Sequence, residues 1–146
     1  MREGREYPER PVVGVGGVVV REGSVLLVKR GAEPLRGQWS LPGGAVELGE
    51  TLEEAVVREL CEETGLAVRV LELVEALERI TRDDTGRPHY HYVLLDYLCQ
   101  AVGGTLHAGS DVVEVAWARP EEFASYSLSP PARAVCEKAL EMAQRR

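Results

Sequence analysis

The stretch RELCEETG, residues 58–65, carries three glutamates within five positions and a single basic side chain. Like charges three or four residues apart destabilise a helix by about 0.2–0.5 kcal/mol per pair, so surface helices usually mix the two signs. The flanking residues nevertheless predict a helix over residues 52–64, because Thr51 and Glu54 match a capping box and Gly65 is a typical residue after a helix end. Some feature of the folded protein must therefore offset the repulsion.

The glutamates Glu59, Glu62 and Glu63 share one face of this helix, because a helix turns by about 100° per residue. Val56 and Leu60 lie on the adjoining face and can pack against a sheet. The carboxylates are therefore expected beside the core contact, at the edge of a cleft, rather than on the face opposite the core.

A hard divalent cation would offset the repulsion, since Mg²⁺ binds carboxylate and carbonyl oxygens. The turn LPGG at residues 41–44 lies just ahead of the helix and offers a backbone carbonyl to the same set of ligands. A solvated acidic face is the alternative. It leaves unexplained both the lack of lysines at helical spacing and the position of the glycine turn.

The composition limits the class of protein. A chain of 146 residues, 45% apolar and 28% charged, is typical of a globular protein with one core, and we predict a single domain over residues 1–146. The net charge of −7 argues against general nucleic-acid binding, which needs a basic surface. The same charge would repel a phosphorylated substrate, and a bound cation would remove that obstacle.

The cysteines and the N-terminal sequence indicate a location. Cys61, Cys99 and Cys136 are odd in number and form no CxxC pair, which favours free thiols in a reducing compartment over disulfides or a zinc site. The start MREGREYPER is charged and lacks the apolar segment of a signal peptide. The longest apolar run, VVGVGGVVV, is too short to span a bilayer. We therefore predict a cytoplasmic protein with no membrane partner.

Runs of β-branched and aliphatic residues predict a series of strands. They cover residues 12–20 and 24–30, a short strand in WSLPGG that ends at Pro42, Gly43 and Gly44, part of 67–81, residues 89–102 and residues 112–118. The sequence GVGG at residues 14–17 lacks the third glycine of a dinucleotide-binding loop, so we interpret it as part of a strand. The apolar centre of 89–102 predicts burial on both faces.

Two further helices are predicted after the last strand. Pro120 can open a short helix through Phe123, and residues 130–145 have the pattern of a terminal helix. Strands interspersed with helices predict a compact α/β or α+β domain with a mixed sheet.

The acidic helix and the turn before it resemble the Nudix box, GX5EX7REUXEEXGU, without a departure. The matching positions are Gly44, Glu50, Arg58, Glu59, Leu60, Glu62, Glu63, Gly65 and Leu66. The resemblance extends more loosely from the first strand to Trp117. It implies a Nudix hydrolase with an α/β/α sandwich around a mixed β-sheet. It also implies hydrolysis of nucleoside diphosphates linked to another moiety, with Mg²⁺ as cofactor and Mn²⁺ as a substitute.

The resemblance implies roles for the box residues by their motif position. Glu59, Glu62 and Glu63 would ligate the metal together with the Gly44 carbonyl. Glu50 would support the site, and Arg58 would orient the glutamates. Glu59 is one candidate for the general base that removes a proton from the attacking water.

Some Nudix enzymes use a glutamate outside the box as base or as an additional metal ligand. Asp111 and Glu114 are the candidates here, just ahead of Trp117, and Glu114 resembles that additional ligand. A solvent-facing strand residue is the alternative for Glu114.

Predictions about the substrate rest on weaker signals. The tract ITRDDTGRPHYHYVLLDYLC, residues 80–99, is similar to Nudix enzymes that act on ADP-ribose and related nucleoside diphosphate sugars. We predict that Arg30, Arg36 and Arg79 contact phosphates and that Tyr92 contacts the substrate through its ring. Solvated arginines and a packed tyrosine are the alternatives.

The leading hypothesis is hydrolysis of ADP-ribose or a related small nucleotide. A nucleoside triphosphate or capped-RNA pyrophosphohydrolase is the alternative within the same class of enzyme. A nucleotide-sensing domain without turnover is an alternative of another class, and the complete set of box carboxylates argues against it. The sequence leaves a homodimer open, since it contains no dedicated interface.

Overall fold

The computed structural model describes residues 5–33 and 35–146. Residues 1–4, which belong to the N-terminal stretch that we compared with a signal peptide, lie outside the described residues. The elements follow one another as β1 (Val12–Arg21), β2 (Ser24–Arg30), β3 (Trp39–Ser40), β4 (Gly43–Ala45), α1 (Leu52–Thr64), β5 (Leu66–Arg82), β6 (Pro88–Gly104), β7 (Val112–Ala118), a 3₁₀ helix (Pro120–Tyr126) and α2 (Pro130–Gln144).

The acidic helix begins and ends where its capping signals predict. The Thr51 hydroxyl accepts a hydrogen bond from the Glu54 amide at 3.1 Å, and the Thr51 amide donates to the Glu54 carboxylate at 2.8 Å. Gly65 follows the last turn with φ of 77°, a left-handed conformation that favours glycine. The prediction of a helix over residues 52–64 is confirmed.

The prediction of one strand ending at the glycines was wrong. The segment forms two short strands, β3 and β4, and both glycines lie inside β4. Gly43 pairs with Gly16 of β1, and a Cβ atom at Gly43 would overlap the Val15 backbone. The two glycines therefore allow neighbouring parts of the chain to approach each other closely. From the sequence alone we interpreted them as the end of a strand.

The strands of the described residues form a sheet of seven, which is mixed, as predicted. In its larger part the order is β4, β1, β6, β5, with β1 parallel to β6 and the other neighbours antiparallel. The hairpin between β1 and β2 continues the sheet, and β2 pairs with β3 and β7. Four register shifts interrupt the pairing of β5 with β6, which explains why the apolar alternation of β5 is imperfect.

The helices α1 and α2 pack on opposite faces of the sheet, because successive strand residues point to opposite faces. Val19, Leu26 and Cys99 face α1, whereas Val18, Leu27 and Leu98 face α2. The buried core on the α1 side comprises Val15, Val19, Leu26, Ala55, Val56, Leu60, Leu66, Val68 and Cys99. The core on the α2 side comprises Val18, Val25, Leu27, Val74, Leu98, Ala118, Phe123, Val135, Cys136, Ala139 and Met142. The predicted α/β/α sandwich and the burial of β6 on both faces are confirmed.

The three cysteines differ in their exposure. Cys61 is exposed, Cys99 and Cys136 are buried, and all three are free. No helix in residues 5–33 and 35–146 is both long enough and apolar enough to cross a membrane.

Candidate functional site

Helix α1 places its glutamates at the edge of the sheet. Glu59 and Glu63 are only 3% and 6% exposed, whereas the Glu62 side chain is 43% exposed. The neighbouring Val56 and Leu60 are fully buried in the core on the same side. Packing of these apolar residues on the sheet therefore carries two of the three carboxylates into the protein, as the helical spacing predicts.

Arg58 connects three of the acidic residues of the box. Its Nε and Nη2 donate to the two carboxylate oxygens of Glu50 at 2.6 and 2.9 Å. Its Nη1 donates to Glu59 at 2.7 Å and to Glu62 at 3.3 Å. The hydrogen bonds with Glu50 and Glu59 raise the pKa of Arg58 above its usual range, although partial burial acts against them. The guanidinium is thus a fixed positive charge that partly offsets the repulsion among the glutamates.

The same arginine holds the loop that precedes the helix. Nη2 of Arg58 also donates to the Ala45 carbonyl at 3.0 Å. Within the loop, the Glu47 amide donates to the Glu50 carboxylate at 3.0 Å. The Gly44–Glu50 spacing of the box therefore brings the loop and the helix to one guanidinium, and the roles of Glu50 and Arg58 in positioning the site stay predictions.

The two glycines of β4 lie directly against the buried carboxylates. The Gly43 amide donates to the Glu63 carboxylate at 3.0 Å. A Cβ atom at Gly44 would overlap the carboxylate of Glu59. Glycine at residue 44 therefore leaves the Glu59 carboxylate in this position, and the predicted ligands Gly44, Glu59 and Glu63 are brought together.

Burial raises the pKa of Glu63 to about 7, and the negative charge of Glu59 adds to this shift. The Gly43 hydrogen bond and the positive charge of Arg30 act in the opposite direction without cancelling it. Two carboxylates buried this close together repel each other, and this repulsion favours the binding of a cation.

The donor atoms fit a divalent metal ion, although the described residues contain no preformed group of three acidic, cysteine or histidine side chains arranged around one point. Arg58 takes up carboxylate oxygens of Glu59 and Glu62 in this arrangement. The available donors are carboxylate oxygens and a backbone carbonyl, the hard ligands that Mg²⁺ and Mn²⁺ prefer. The ligand roles of Gly44, Glu59, Glu62 and Glu63 remain predictions.

Glu114 lies apart from these carboxylates. Its side chain is 57% exposed and accepts a hydrogen bond from Lys29 at 3.3 Å. Val115 and Trp117 pack against the core on the α1 side, so Glu114 faces the other side of β7. Nothing described joins it to the glutamates of α1. This placement agrees with the solvent-facing alternative, and its roles as base and as metal ligand remain predictions.

Three of the four predicted substrate-binding residues line one cavity. This cavity of about 100 Å³ opens beside the first turn of α2 and contains Arg30, Arg79 and Tyr92 in its wall. Arg36 lies outside it, with a side chain that is 64% exposed and 3.7 Å from the carboxylate of Glu33. The sheet brings the first three together although they belong to three different strands.

The cavity and the acidic helix are neighbours. Gly43 lines the cavity and also donates its amide hydrogen to Glu63. Arg30 is only 9% exposed, and its backbone bonds to Gly37 and Gln38 at 2.8 and 2.9 Å. Burial raises the pKa of both Glu63 and Tyr92, and the positive charge of Arg30 opposes this shift at each of them. A single ligand could therefore contact the cavity and the carboxylate cluster at once.

Sequence reasoning missed Asp96, which lies in the wall of the same cavity. Asp96 is 9% exposed, and burial raises its pKa to about 6. The positive charge of Arg79 acts to lower this pKa, and the negative charge of Glu75 acts to raise it. A Cβ atom at Gly16 would overlap the Asp96 carboxylate. The available signal was a single carboxylate within the apolar run YVLLDYLC, because charged residues are rarely buried without a role.

Comparison with known proteins places the chain in a family. The profile of the NUDIX domain matches residues 10–139, so the chain belongs to the NUDIX domain family. The ADP-ribose pyrophosphatase of Methanocaldococcus jannaschii is 42% identical over 104 residues, which cover 71% of this chain and 59% of that protein. Nucleoside triphosphatase NudI of Salmonella arizonae is 32% identical over 125 residues, which cover 80% of this chain and 87% of that protein.

A solved structure agrees with this assignment. The MutT NUDIX hydrolase from Burkholderia pseudomallei matches with a TM-score of 0.73 and 33% sequence identity, over 91% of this chain and 98% of that chain. The chain spans only 59% of the length of the archaeal pyrophosphatase. The resemblance to the Nudix box is therefore confirmed as family membership, and the activity is a separate question.

Proposed function

We propose that the protein is a Mg²⁺-dependent pyrophosphohydrolase of nucleoside diphosphates linked to a second moiety, with ADP-ribose as the first candidate substrate. The observation that carries this proposal is the buried pair Glu59 and Glu63, held between α1 and the glycines of β4. The 42% identity to an ADP-ribose pyrophosphatase supports the choice of substrate. The family's general use of divalent metals supports the cofactor.

The proposed chemistry follows from charge. Pyrophosphate oxygens repel nucleophiles, and a divalent ion, when bound, neutralises those oxygens and lowers the pKa of a bound water. Glu59, Glu62 and Glu63 would hold this ion with the Gly44 carbonyl. Glu59 is also the candidate that accepts the proton of the attacking water.

Other residues of the chain would bind the substrate or orient the glutamates. Arg58 fixes the orientation of Glu59 and Glu62 through its hydrogen bonds. Arg30 and Arg79, in the wall of the cavity that adjoins the carboxylate cluster, would hold the negatively charged substrate by their charge. Because the chain has a net charge of −7, these two arginines and the metal would provide the local positive potential that the substrate needs.

Nucleoside triphosphates are the second candidate substrates. The relative named nucleoside triphosphatase NudI is covered over 87% of its length, a larger share than for the ADP-ribose pyrophosphatase. The same carboxylates would serve both reactions, since both break a phosphoanhydride bond.

A substrate panel tests the proposal. ADP-ribose, NADH, diadenosine polyphosphates and deoxynucleoside triphosphates are incubated with the protein and Mg²⁺, and the phosphate-ester products are separated by chromatography. We expect AMP and ribose 5-phosphate from ADP-ribose as the fastest reaction. Faster turnover of the triphosphates would support the second candidate, and no turnover of any compound would support a domain that only binds nucleotides.

Variants of the acidic helix test the metal site. Glu63→Gln and Glu62→Gln are each expected to lower kcat/KM by about 10²–10³-fold, because each removes an electrostatic contribution to the transition state. Glu53→Gln is the matched control, since Glu53 is an exposed glutamate of the same helix. Titration of Mn²⁺ followed by calorimetry provides a readout apart from activity. Wild-type Mn²⁺ affinity in a Glu62→Gln, Glu63→Gln double variant would contradict the ligand assignment.

Three predictions about the setting of the enzyme stay open. A cytoplasmic location is expected from the three free thiols. A small-molecule partner rather than a nucleic acid is expected from the negative net charge. A homodimer is a further prediction, which sedimentation equilibrium would check.

A further inference from the structure

Two polar side chains on the same face of β6 accept no hydrogen bond from the described residues, and among these residues the Tyr92 hydroxyl is the one such atom that is itself fully buried. Tyr92 is 2% exposed, and its hydroxyl is bonded to nothing in the described part of the chain. The Asp96 carboxylate, 9% exposed, accepts no hydrogen bond from these residues and is affected by Arg79 and Glu75 only through their charges. Both side chains line the cavity beside α2.

Such groups are rare in folded proteins. More than about 90% of buried polar groups have a partner, because an unmade hydrogen bond leaves the loss of hydration uncompensated. A buried carboxylate is more unfavourable than a hydroxyl in this respect, since it carries a full charge. The buried Tyr92 hydroxyl without a partner, beside the Asp96 carboxylate in the wall of the same cavity, therefore indicates a ligand that bonds to both.

The neighbouring strand makes room for the carboxylate. Gly16 of β1 pairs with Asp96 of β6, and a Cβ atom at residue 16 would overlap the Asp96 carboxylate. The position of Asp96 in the cavity thus depends on a glycine elsewhere in the sequence. Packing of the core alone would not require a charged side chain at residue 96.

The walls of the cavity restrict the kind of ligand. Most of the remaining lining is apolar and comes from Leu35, Leu41, Pro42, Leu77 and Leu94. Apolar walls suit the faces of a planar heterocycle better than a ribose or a phosphate. The Asp96 carboxylate accepts hydrogen bonds, so the ligand must present a donor to it. Arg30 and Arg79 also line the cavity, but they offer only donors and cannot replace Asp96 as the acceptor. A cavity of about 100 Å³ is suited to the edge of a base rather than to a whole nucleotide.

We propose that this cavity binds the base of the nucleotide and that Asp96 accepts a hydrogen bond from an exocyclic amino group of that base, which makes Asp96 a determinant of base specificity. The proposal rests on the proposed function, because it assumes a nucleotide substrate. Gly43 lines the cavity and donates to Glu63. A base bound there leaves its phosphates on the side of the acidic helix.

A ribose hydroxyl can also donate a hydrogen bond to Asp96. Two pairs of ligands distinguish a donor on the base from a donor on the ribose. AMP and IMP differ at position 6 of the base, where IMP has a carbonyl oxygen, an acceptor, in place of the amino group, and at N1, which carries a hydrogen in IMP. AMP and 2′-deoxy-AMP differ only in a ribose hydroxyl. We expect calorimetry to give about 10- to 100-fold tighter binding of AMP than of IMP, the range for a hydrogen bond to a charged group, and similar affinities for AMP and 2′-deoxy-AMP.

The test of Asp96 compares the hydrolysis of ADP-ribose with that of its hypoxanthine analogue. We expect wild-type kcat/KM to favour adenine by about 10- to 100-fold and Asp96→Asn to reduce this preference to within about 3-fold. Tyr92→Phe should lower kcat/KM for both substrates by about 5-fold and leave the preference unchanged. Glu75→Gln is the matched control, because Glu75 lies opposite Asp96 in β5 and pairs with Lys138 at the surface. It should retain the wild-type preference.

Wild-type preference in Asp96→Asn, or no preference in the wild type, would overturn the proposal, and either would result if only water satisfied the two groups. Binding distinguishes this failure from failure of the proposed function. If the protein hydrolyses none of the nucleotides but Asp96→Asn loses the preference for AMP over IMP, the base site is supported and the proposed enzymatic function is wrong. A protein that hydrolyses both substrates equally in every variant would retain the enzyme without the base site.

Discussion

The carboxylates on the two sides of the sheet are compensated in opposite ways. On the side of α1, Arg58 bonds to Glu50 and Glu59. On the side of α2, Asp96 receives no hydrogen bond from the described residues. A network that supplies its own positive charge stabilises the protein before any ligand arrives. A buried carboxylate that receives no hydrogen bond lowers the stability of the free protein, so its removal should raise the free energy of unfolding, whereas disruption of the α1 network should lower it.

Removal of the arginine is expected to have the largest effect. Arg58→Ala leaves Glu59 buried without its guanidinium, and we expect the free energy of unfolding in urea to fall by about 3 kcal/mol. Arg133→Ala is the matched control, since Arg133 bonds to Glu137 at 3.3 Å on an exposed helix surface, where such a pair contributes about 0.2–1 kcal/mol. Equal losses in the two variants would show that the network on α1 contributes no more than a surface pair.

The close approach of β4 to α1 gives the second prediction. Gly44→Ala places a methyl group where the Glu59 carboxylate lies, so we expect Glu59 to shift and kcat/KM to fall by about 100-fold. Gly103→Ala is the control, because its added methyl group would make only an ordinary contact with Ala67 at 3.8 Å. Full activity of Gly44→Ala would mean that Glu59 need not stand against the strand.

Asp96 should respond to pH in a way that the α1 network does not explain. Its folded pKa of about 6 lies above the usual 3.8, so the unfolded chain loses this proton at a lower pH than the folded one. Stability is therefore lost as pH rises from about 4 to about 6, by roughly 3 kcal/mol in total. Asp96→Asn removes this loss, and the variant should exceed the wild type in stability increasingly over this range.

Urea unfolding at pH 4 and pH 7 measures the difference. Asp84→Asn, at an exposed turn, is the control and should follow the wild-type curve. If Asp96→Asn is destabilised at pH 7, the carboxylate has a partner in the free protein, and the contrast between the two sides of the sheet disappears.

Glu114 is expected to show the smallest effect. Its surface pair with Lys29 is exposed, so Glu114→Gln should change the free energy of unfolding by less than about 1 kcal/mol. We expect kcat/KM to stay within about 3-fold of the wild type, because the side chain faces away from the α1 side of the sheet. A fall of 10-fold or more would restore Glu114 as a metal ligand or base.

Local spacing made the acidic helix predictable. The capping box at Thr51 and the C-terminal Gly65 fixed both ends, and the intervals between Glu59, Glu62 and Glu63 fixed their common face. These features depend on residues within one or two helical turns. The break between β3 and β4 was missed, because the reason for Gly43 is the backbone of Val15, which belongs to another strand.

The sequence by itself determined the box, its helix and the alternation of the strands, since each follows from hydrogen bonds and side-chain periodicity between near neighbours. Only the tertiary structure decided that Arg30, Arg79, Tyr92 and Asp96 share one cavity. These residues come from three strands, and the register of β6 against β1 and β5 sets which of them meet. Burial of the Asp96 carboxylate is a property of that assembled surface, and the local sequence shows only a single carboxylate within an apolar run.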